Sequence, residues 1–235
     1  MLSLSKHGRA ATALRLACFV ALIACVAFVA LGVVVAHRAP GVLDVWFLDA
    51  CRGHALALAV ALTELGRFPA YVAICAATLV FGVVRRAWLR NASIAVVALA
   101  VAWKVSDLCK DQFMRARPPG QLVFHETSFG YGSGHATLAL TFYGAWALYA
   151  WRSDLPRPAR VAIVAAAGGL ILAIGWSRLA LGAHYPSDVL GGYLLGGAFL
   201  GPLAAATHRD PRSETQGGPS ADVPRPGARH ESGRR

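Results

Sequence analysis

The chain alternates long apolar runs with short polar segments. The first run, residues 16–36, is long enough to cross a bilayer core of about 30 Å at about 1.5 Å per helical residue. Basic residues precede it, as in a signal peptide, but the apolar part of a signal peptide is shorter, at about 7–15 residues. We therefore predict an uncleaved span. Five further runs predict an all-α, polytopic membrane bundle of about six transmembrane helices: residues 68–84, 91–108, 136–151, 161–176 and 186–206.

Two regions depart from this pattern. Between residues 37 and 67, charged side chains such as Asp44 and Asp49 interrupt every apolar stretch, so we predict interfacial helices and loops there. From residue 207 onward the chain is rich in Gly, Pro, Ser and Arg, a composition typical of disorder. Within the last apolar run, the glycine pairs at residues 191–192 and 196–197 predict close packing against another helix.

The composition also indicates a membrane protein. Of the 235 residues, 56% are hydrophobic and only 15% are charged, and the mean hydropathy is +0.50; soluble domains rarely have so few charges. The net charge of +11 raises the alternative of nucleic-acid binding. Lys and Arg lie in short clusters between apolar runs and not along one helical face, which disfavours that alternative. The five cysteines show no C-x-x-C or metal spacing, and no feature supports a disulfide between Cys51 and Cys109.

The basic clusters predict an orientation. Loops rich in Lys and Arg face the cytoplasm, and such clusters occur at residues 6–15, 85–90, 152–160 and 209–212. Two spans fit between His135 and Ser177, so the polar segments at residues 110–135 and 177–188 lie together on the opposite face. We predict a multi-pass protein of the cell (inner) membrane whose polar segments face the periplasm or the outside.

The segment at residues 177–188 reads S-R-x5-H-x3-D. A carboxylate four residues after His184 can fix the imidazole tautomer and stabilise its cation. Pro186 suits the first turn of a helix, which places Asp188 in that turn, facing back toward His184. Arg178 offers a planar, permanently charged guanidinium for phosphate oxygens. The alternative is a polar loop that caps a membrane helix.

Two further motifs precede this segment. Residues 110–118 read K-x6-R-P, and residues 132–135 read G-S-G-H. Three motifs in this order and at these spacings resemble the phosphatidic-acid phosphatase type 2 superfamily, or lipid phosphate phosphatases, over roughly residues 64–206. The central motif of that family is P-S-G-H, and Gly132 replaces its proline here. We expect this departure to affect the rigidity of the loop and not its chemistry.

The resemblance implies a role for each motif residue. His184 attacks phosphorus to give a phosphohistidine, Asp188 holds His184, and His135 protonates the leaving oxygen before water hydrolyses the intermediate. The predicted phosphate-binding residues are Lys110, Arg117, Ser133, Gly134 and Arg178. The cations also have the simpler interpretation of side chains that extend to the membrane interface, and Ser133 either donates to phosphate or caps the following helix. Arg115 matches no motif position, and a second phosphate or lipid headgroups are its candidate contacts.

We therefore predict an integral-membrane phosphatase acting on a lipid-linked phosphate or diphosphate, such as undecaprenyl diphosphate, phosphatidate or phosphatidylglycerol phosphate. No metal or other cofactor is implied, because the acidic residues lack metal-ligand spacing. The predicted partners are the lipid substrate and membrane lipids, without nucleic acid. The predicted organisation is a cytoplasmic N-terminus (1–15), a six-span phosphatase domain (16–206, motif-bearing core 64–206) and a disordered basic tail (207–235).

Two alternatives belong to other classes. A non-catalytic or transport-type membrane protein could bind phosphorylated lipids on the same fold, but binding alone does not need both histidines. Vanadate-dependent haloperoxidases share these motifs, but they are soluble, and the six predicted spans disfavour them.

Overall fold

The computed structural model describes residues 6–206, and within that range the chain forms eight α-helices and no strand. The predicted disordered tail, at residues 207–235, lies outside the described residues. The helices are α1 (Lys6–Ala36), α2 (Val42–Cys51), α3 (Leu56–Glu64), α4 (Phe68–Val84), α5 (Leu89–Phe113), α6 (Gly134–Trp151), α7 (Arg157–Ala180) and α8 (Pro186–Ala206), with a 3₁₀ turn at Arg86–Trp88 before α5.

The six long helices coincide with the six apolar runs, which confirms the all-α prediction. Several of them extend further than the runs. Helix α5 continues to Phe113 and α7 to Ala180, while α6 begins at Gly134. The backbone keeps its helical hydrogen bonds when the side chains turn polar at the end of an apolar run. These extensions place Lys110, His135 and Arg178 on helix ends and not in loops.

Within residues 6–206, three helical segments are long and apolar enough to cross a membrane by themselves: Leu14–Ala36, Leu89–Phe113 and Arg157–Ala180. Helices α2 and α3 meet at a bend of 105° and would form a fourth span if they were counted as one broken segment. This short, bent pair agrees with the interfacial helices predicted between residues 37 and 67. The protein is a multi-pass membrane protein, and the count of six spans stays a prediction.

Helix α6 lies at the centre of the bundle, where it packs against α5, α7 and α8, and α8 packs in turn against α1. Glycines on α8 make the contact with α6 unusually close. A Cβ atom at Gly192 would lie 2.5 Å from the Ser133 carbonyl oxygen, and one at Gly196 would lie 2.7 Å from the Thr137 carbonyl oxygen. The predicted close packing of the glycine pairs is confirmed for these two members, because only a residue without Cβ fits there.

The same end of the bundle holds all three motifs. Lys110 lies in the last turn of α5, Arg178 in the last turn of α7 and Asp188 in the first turn of α8. A cation near a helix C-terminus and an anion near an N-terminus both complement the helix dipole. The arginines at residues 85–90 and 152–160 lie near the opposite helix ends. The prediction that the motifs share one face of the bundle is confirmed.

Candidate active site

The motifs border a cavity of about 610 Å³ that has a polar end and an apolar end. The polar end is lined by Lys110, Arg117, Glu126, Gly134, His135 and His184. The apolar end lies between α4, α5 and α6 and is lined by Pro69, Tyr71, Val72, Cys75, Val96, Leu99, Ala100, Trp103 and Leu138. Val72 and Trp103 are each 51% exposed, so the cavity reaches the outer surface of the bundle between α4 and α5.

His184 lies in the turn between α7 and α8 and is only 1% exposed. Its Nε2 atom is 2.9 Å from Nη1 of Arg117. Because a guanidinium can only donate, we assign Nε2 as the acceptor and place the proton of the neutral imidazole on Nδ1. Burial, followed by the positive charges of Arg117, Arg178 and Lys110, holds the pKa of His184 well below its usual value. The imidazole is therefore neutral at physiological pH, as a nucleophile must be.

Asp188 faces the other nitrogen of His184. Its Oδ2 atom lies 3.7 Å from His184 Nδ1, which is longer than a hydrogen bond, and it accepts the backbone N–H of Tyr185 at 2.8 Å. The side chain is fully buried. The structure thus brings the predicted histidine and carboxylate together. A closer approach of Asp188 Oδ2 to His184 Nδ1 would make them a hydrogen-bonded pair.

Arg178 is 1% exposed and holds two partners that the sequence did not indicate. Its Nη1 atom donates to Thr63 Oγ1 on α3 at 2.6 Å, and its Nη2 atom pairs with Glu126 Oε1 at 3.0 Å. Arg178 Nε is buried and has no hydrogen-bond partner among the described residues. A buried guanidinium with an unused donor is suited to bind an anion.

Of the three cations of the predicted clamp, Arg117 and Lys110 line the cavity, whereas Arg178 does not and reaches it only through its partner Glu126. Arg117 donates to the Ala183 carbonyl oxygen at 3.0 Å and to both the carbonyl and hydroxyl oxygens of Ser128, at 2.6 and 3.0 Å. Lys110 has no closer acidic partner among the described residues than Asp107, at 4.0 Å. The Lys110 ammonium is thus the least constrained of the three cations.

The G-S-G-H segment forms the junction between the loop and α6. Gly134 and His135 line the cavity, and His135 Nε2 is buried without a hydrogen-bond partner in the described part of the chain. Ser133 occupies the N-cap position of α6 but makes no side-chain capping bond, and its hydroxyl is also unpartnered there. Of the two roles considered for Ser133, the capping bond is absent from this structure.

Gly132 explains the departure from the family's P-S-G-H motif. Its φ angle is +74°, in the left-handed region that glycine adopts readily, whereas proline is fixed near −65°. The replacement therefore changes the backbone path into Ser133 as well as the rigidity of the loop. Nearby, Tyr131 fixes this loop against α1: it stacks on Phe28 at 5.1 Å and donates to the Phe28 carbonyl oxygen at 2.6 Å.

Arg115 is buried and bound to two carboxylates. It is 3% exposed and forms ion pairs with Asp188 at 2.5 Å and with Asp44 at 2.7 Å. A second phosphate and lipid headgroups were its two candidate contacts, and the enclosure of the side chain by Asp44 on α2 and Asp188 on α8 disfavours both.

Sequence reasoning missed Asp44, Thr63 and Glu126. A signal existed only for Asp44, because it lies four residues before Leu48 and shares its buried face on α2. Thr63 and Glu126 are ordinary polar residues of a short helix and a loop. The five cysteines are free thiols, including Cys51 and Cys109. Among the described residues, no group of three or more His, Cys, Asp or Glu side chains is placed to hold a metal ion.

Known proteins resemble this chain in sequence and in fold. Phosphatidylglycerophosphatase B of Bacillus subtilis is 33% identical over 94 residues, 39% of this chain and 46% of that protein. Lipid A 1-phosphatase of Rhizobium etli is 36% identical over 105 residues, 40% of this chain and 41% of that protein. The matches thus span less than half the length of these curated relatives. In fold, the chain is similar to the crystal structure of a transmembrane PAP2 type phosphatidylglycerolphosphate phosphatase from Bacillus subtilis. That similarity has a TM-score of 0.66 at 23% identity and covers 78% of this chain and 93% of the other.

The model of one family matches residues 87–212, more than half of the chain. This range contains all three motifs, and the structure gathers them around one cavity. The chain belongs to the PAP2 superfamily.

Proposed function

We propose that the protein is an integral-membrane phosphatase that hydrolyses a lipid-linked phosphate or diphosphate. The observation that carries this proposal is the two-ended cavity, in which cations and histidines occupy one end and apolar side chains the other. A lipid phosphate has the same division between a charged head and an apolar chain. The exposed Val72 and Trp103 at the apolar end give an acyl or prenyl chain a path from the bilayer between α4 and α5.

The polar end supplies the charge that phosphoryl transfer needs. The transition state spreads negative charge over the equatorial oxygens. Lys110 and Arg117 line this end of the cavity, and Arg178 lies directly behind Glu126, which lines it too. A phosphate that binds Arg178 must compete with the Glu126 carboxylate, which holds that guanidinium at 3.0 Å. Exchange of one anion for another leaves the buried arginine paired throughout, which avoids the cost of an uncompensated buried charge.

His184 is the proposed nucleophile. Arg117 donates to His184 Nε2 at 2.9 Å. A phosphate whose oxygens accept this N–H in place of Nε2 frees the Nε2 lone pair and brings phosphorus next to it. Attack forms the P–N bond and breaks the P–O bond to the lipid. The departing oxygen takes its proton from the protonated form of His135, which the negative charge of the bound phosphate favours. The imidazole gains positive charge in this step, with Nδ1–H facing the Asp188 carboxylate. His135 then accepts a proton from the water that cleaves the P–N bond.

The test is phosphate release by the purified, detergent-solubilised protein from a panel of phosphatidate, phosphatidylglycerol phosphate, undecaprenyl diphosphate and a lipid A 1-phosphate. We expect turnover of at least one lipid and the same rate in excess EDTA, because the protein's own cations neutralise the phosphate charge. Binding without turnover of any lipid would instead indicate the non-catalytic alternative. A loss of activity in EDTA that Mg²⁺ restores would contradict the cationic clamp.

We also propose that the protein lies in the cell (inner) membrane with this cavity facing the periplasm or the outside. The arginine clusters at residues 85–90 and 152–160 support the orientation, since they lie near the opposite helix ends. The exposed His125 and Asp154 mark the two faces. In a background without the five native cysteines, His125→Cys should react with a membrane-impermeant maleimide on intact cells. Asp154→Cys should react only after permeabilisation, and labelling of both positions on intact cells would contradict the orientation.

A further inference from the structure

Arg115 is a buried cation that the proposed mechanism does not use. Its two terminal nitrogens hold two carboxylates on different helices: Nη1 donates to Asp188 Oδ1 at 2.5 Å, and Nη2 donates to Asp44 Oδ2 at 2.7 Å. It also lies over the Tyr185 ring, 5.0 Å from the centroid. Arg115 does not line the cavity, and both of its terminal nitrogens are already bound to carboxylates. Its action on the reaction must pass through Asp188.

Asp44, the second carboxylate bound to Arg115, also binds the first turn of α8. The Asp44 carboxylate accepts the Ser187 backbone N–H at 2.9 Å and the Ser187 hydroxyl at 2.6–2.7 Å. A carboxylate from α2 therefore satisfies an N-terminal amide of α8, a position where negative charge is favoured. The contact holds α2 on the helix turn that carries Asp188.

The charges of the three side chains explain why two carboxylates are present. Arg115 paired with Asp188 alone would cancel the negative charge that Asp188 offers to the imidazole during attack. With Asp44 bound to the second nitrogen, the group of Asp44, Arg115 and Asp188 keeps one net negative charge. Arg115 and the Tyr185 N–H each hold one oxygen of Asp188, which fixes the carboxylate plane with Oδ2 toward His184.

We propose that Arg115 and Asp44 are positioning residues for the Asp188–His184 pair, and that they set both the orientation and the effective charge of the Asp188 carboxylate. The inference rests on the proposed phosphatase function. Asp44, the positioning residue on α2, lies outside the matched family region at residues 87–212.

The experiment measures kcat and KM for Arg115→Met and Asp44→Asn with the best lipid substrate of the panel. We expect kcat to fall by about 10- to 100-fold, the scale seen when the outer partner of a metal-bound histidine is removed. KM should change little, because neither residue lines the cavity. Asp49→Asn is the matched control: Asp49 is an exposed acid on the same helix, and its removal should leave kcat unchanged.

A double-mutant cycle separates positioning from loss of stability. In an Asp188→Asn background, Arg115 and Asp44 no longer hold a carboxylate against His184. Adding Arg115→Met should therefore lower kcat little further. If Arg115→Met does not fold, Asp44→Asn carries the same cycle, because its amide oxygen still accepts the Ser187 N–H.

The outcomes are distinguishable. Three results would each overturn the inference and leave the phosphatase function intact. They are a wild-type kcat in folded Arg115→Met or Asp44→Asn proteins, an undiminished further loss of kcat in the Asp188→Asn background, and an effect on KM alone. Absence of turnover by the unaltered protein with every lipid would overturn both.

Discussion

His184→Ala should lower turnover by about 10⁴-fold or more, the scale found when a catalytic nucleophile or its orienting carboxylate is removed. His184 is the neutral, buried imidazole that lines the cavity and whose Nδ1 faces Asp188. Alanine has no atom that can form the P–N bond. The measurement is single-turnover release of phosphate from the best lipid of the panel, with folding checked by gel filtration in detergent.

The matched control is His54→Ala. His54 is an exposed histidine in the turn between α2 and α3, and its replacement should leave turnover at the wild-type level. A second, positive test is chemical: quenching in denaturing alkaline solution during turnover should trap phosphate on the unaltered protein in an alkali-stable, acid-labile form, and none on His184→Ala. A folded His184→Ala protein that retains near-normal phosphate release would remove His184 from the mechanism.

Arg178→Lys should lower kcat by about 10²- to 10³-fold, the scale seen when one preorganised donor to a developing charge is removed. The positive charge is retained, so the loss measures geometry. A lysine ammonium cannot donate in a fixed fork to Thr63 and to an anion at the same time. In the wild type Arg178 reaches both Thr63, at 2.6 Å, and the carboxylate of Glu126, at 3.0 Å.

Arg157→Lys is the control for the general effect of this substitution. Arg157 is exposed at the first turn of α7, the opposite end of the same helix, and the change there should be silent. Glu126→Gln adds a second comparison, because it removes the anion that competes with phosphate for Arg178. If Arg178→Lys turns over at the wild-type rate, the guanidinium fork at this position is not part of the clamp.

Two charged residues of one loop already have partners at the cavity before a substrate binds. Arg117 and Glu126 belong to the same loop between α5 and α6, and they contact His184 and Arg178, respectively. The incoming phosphate thus meets two groups that already have partners. This arrangement keeps the buried charges compensated before substrate arrives, as burial of unpaired charges is costly.

The amino-acid sequence by itself determined the helices and the motif residues. Apolar runs of span length can satisfy their backbone groups in a membrane only as helices or closed barrels, and long uninterrupted runs indicate helices. The spacing of Pro186 and Asp188 after His184 places a carboxylate in the first helical turn. That local prediction agrees with Asp188 in the first turn of α8. The glycines of α8 likewise predicted close packing that the contact with α6 confirms.

Only the tertiary structure decided which groups surround the motif residues. Arg115 and Asp188 are 73 positions apart, and Arg178 and Thr63 are 115 positions apart. Periodicity reports which face of a helix is buried, but it carries no record of the distant residue that will lie against that face. The partners of a buried charge are set by helix packing, so the roles of Asp44, Thr63, Arg115 and Glu126 became visible only when α2, α3 and the loop before α6 were placed against α7 and α8.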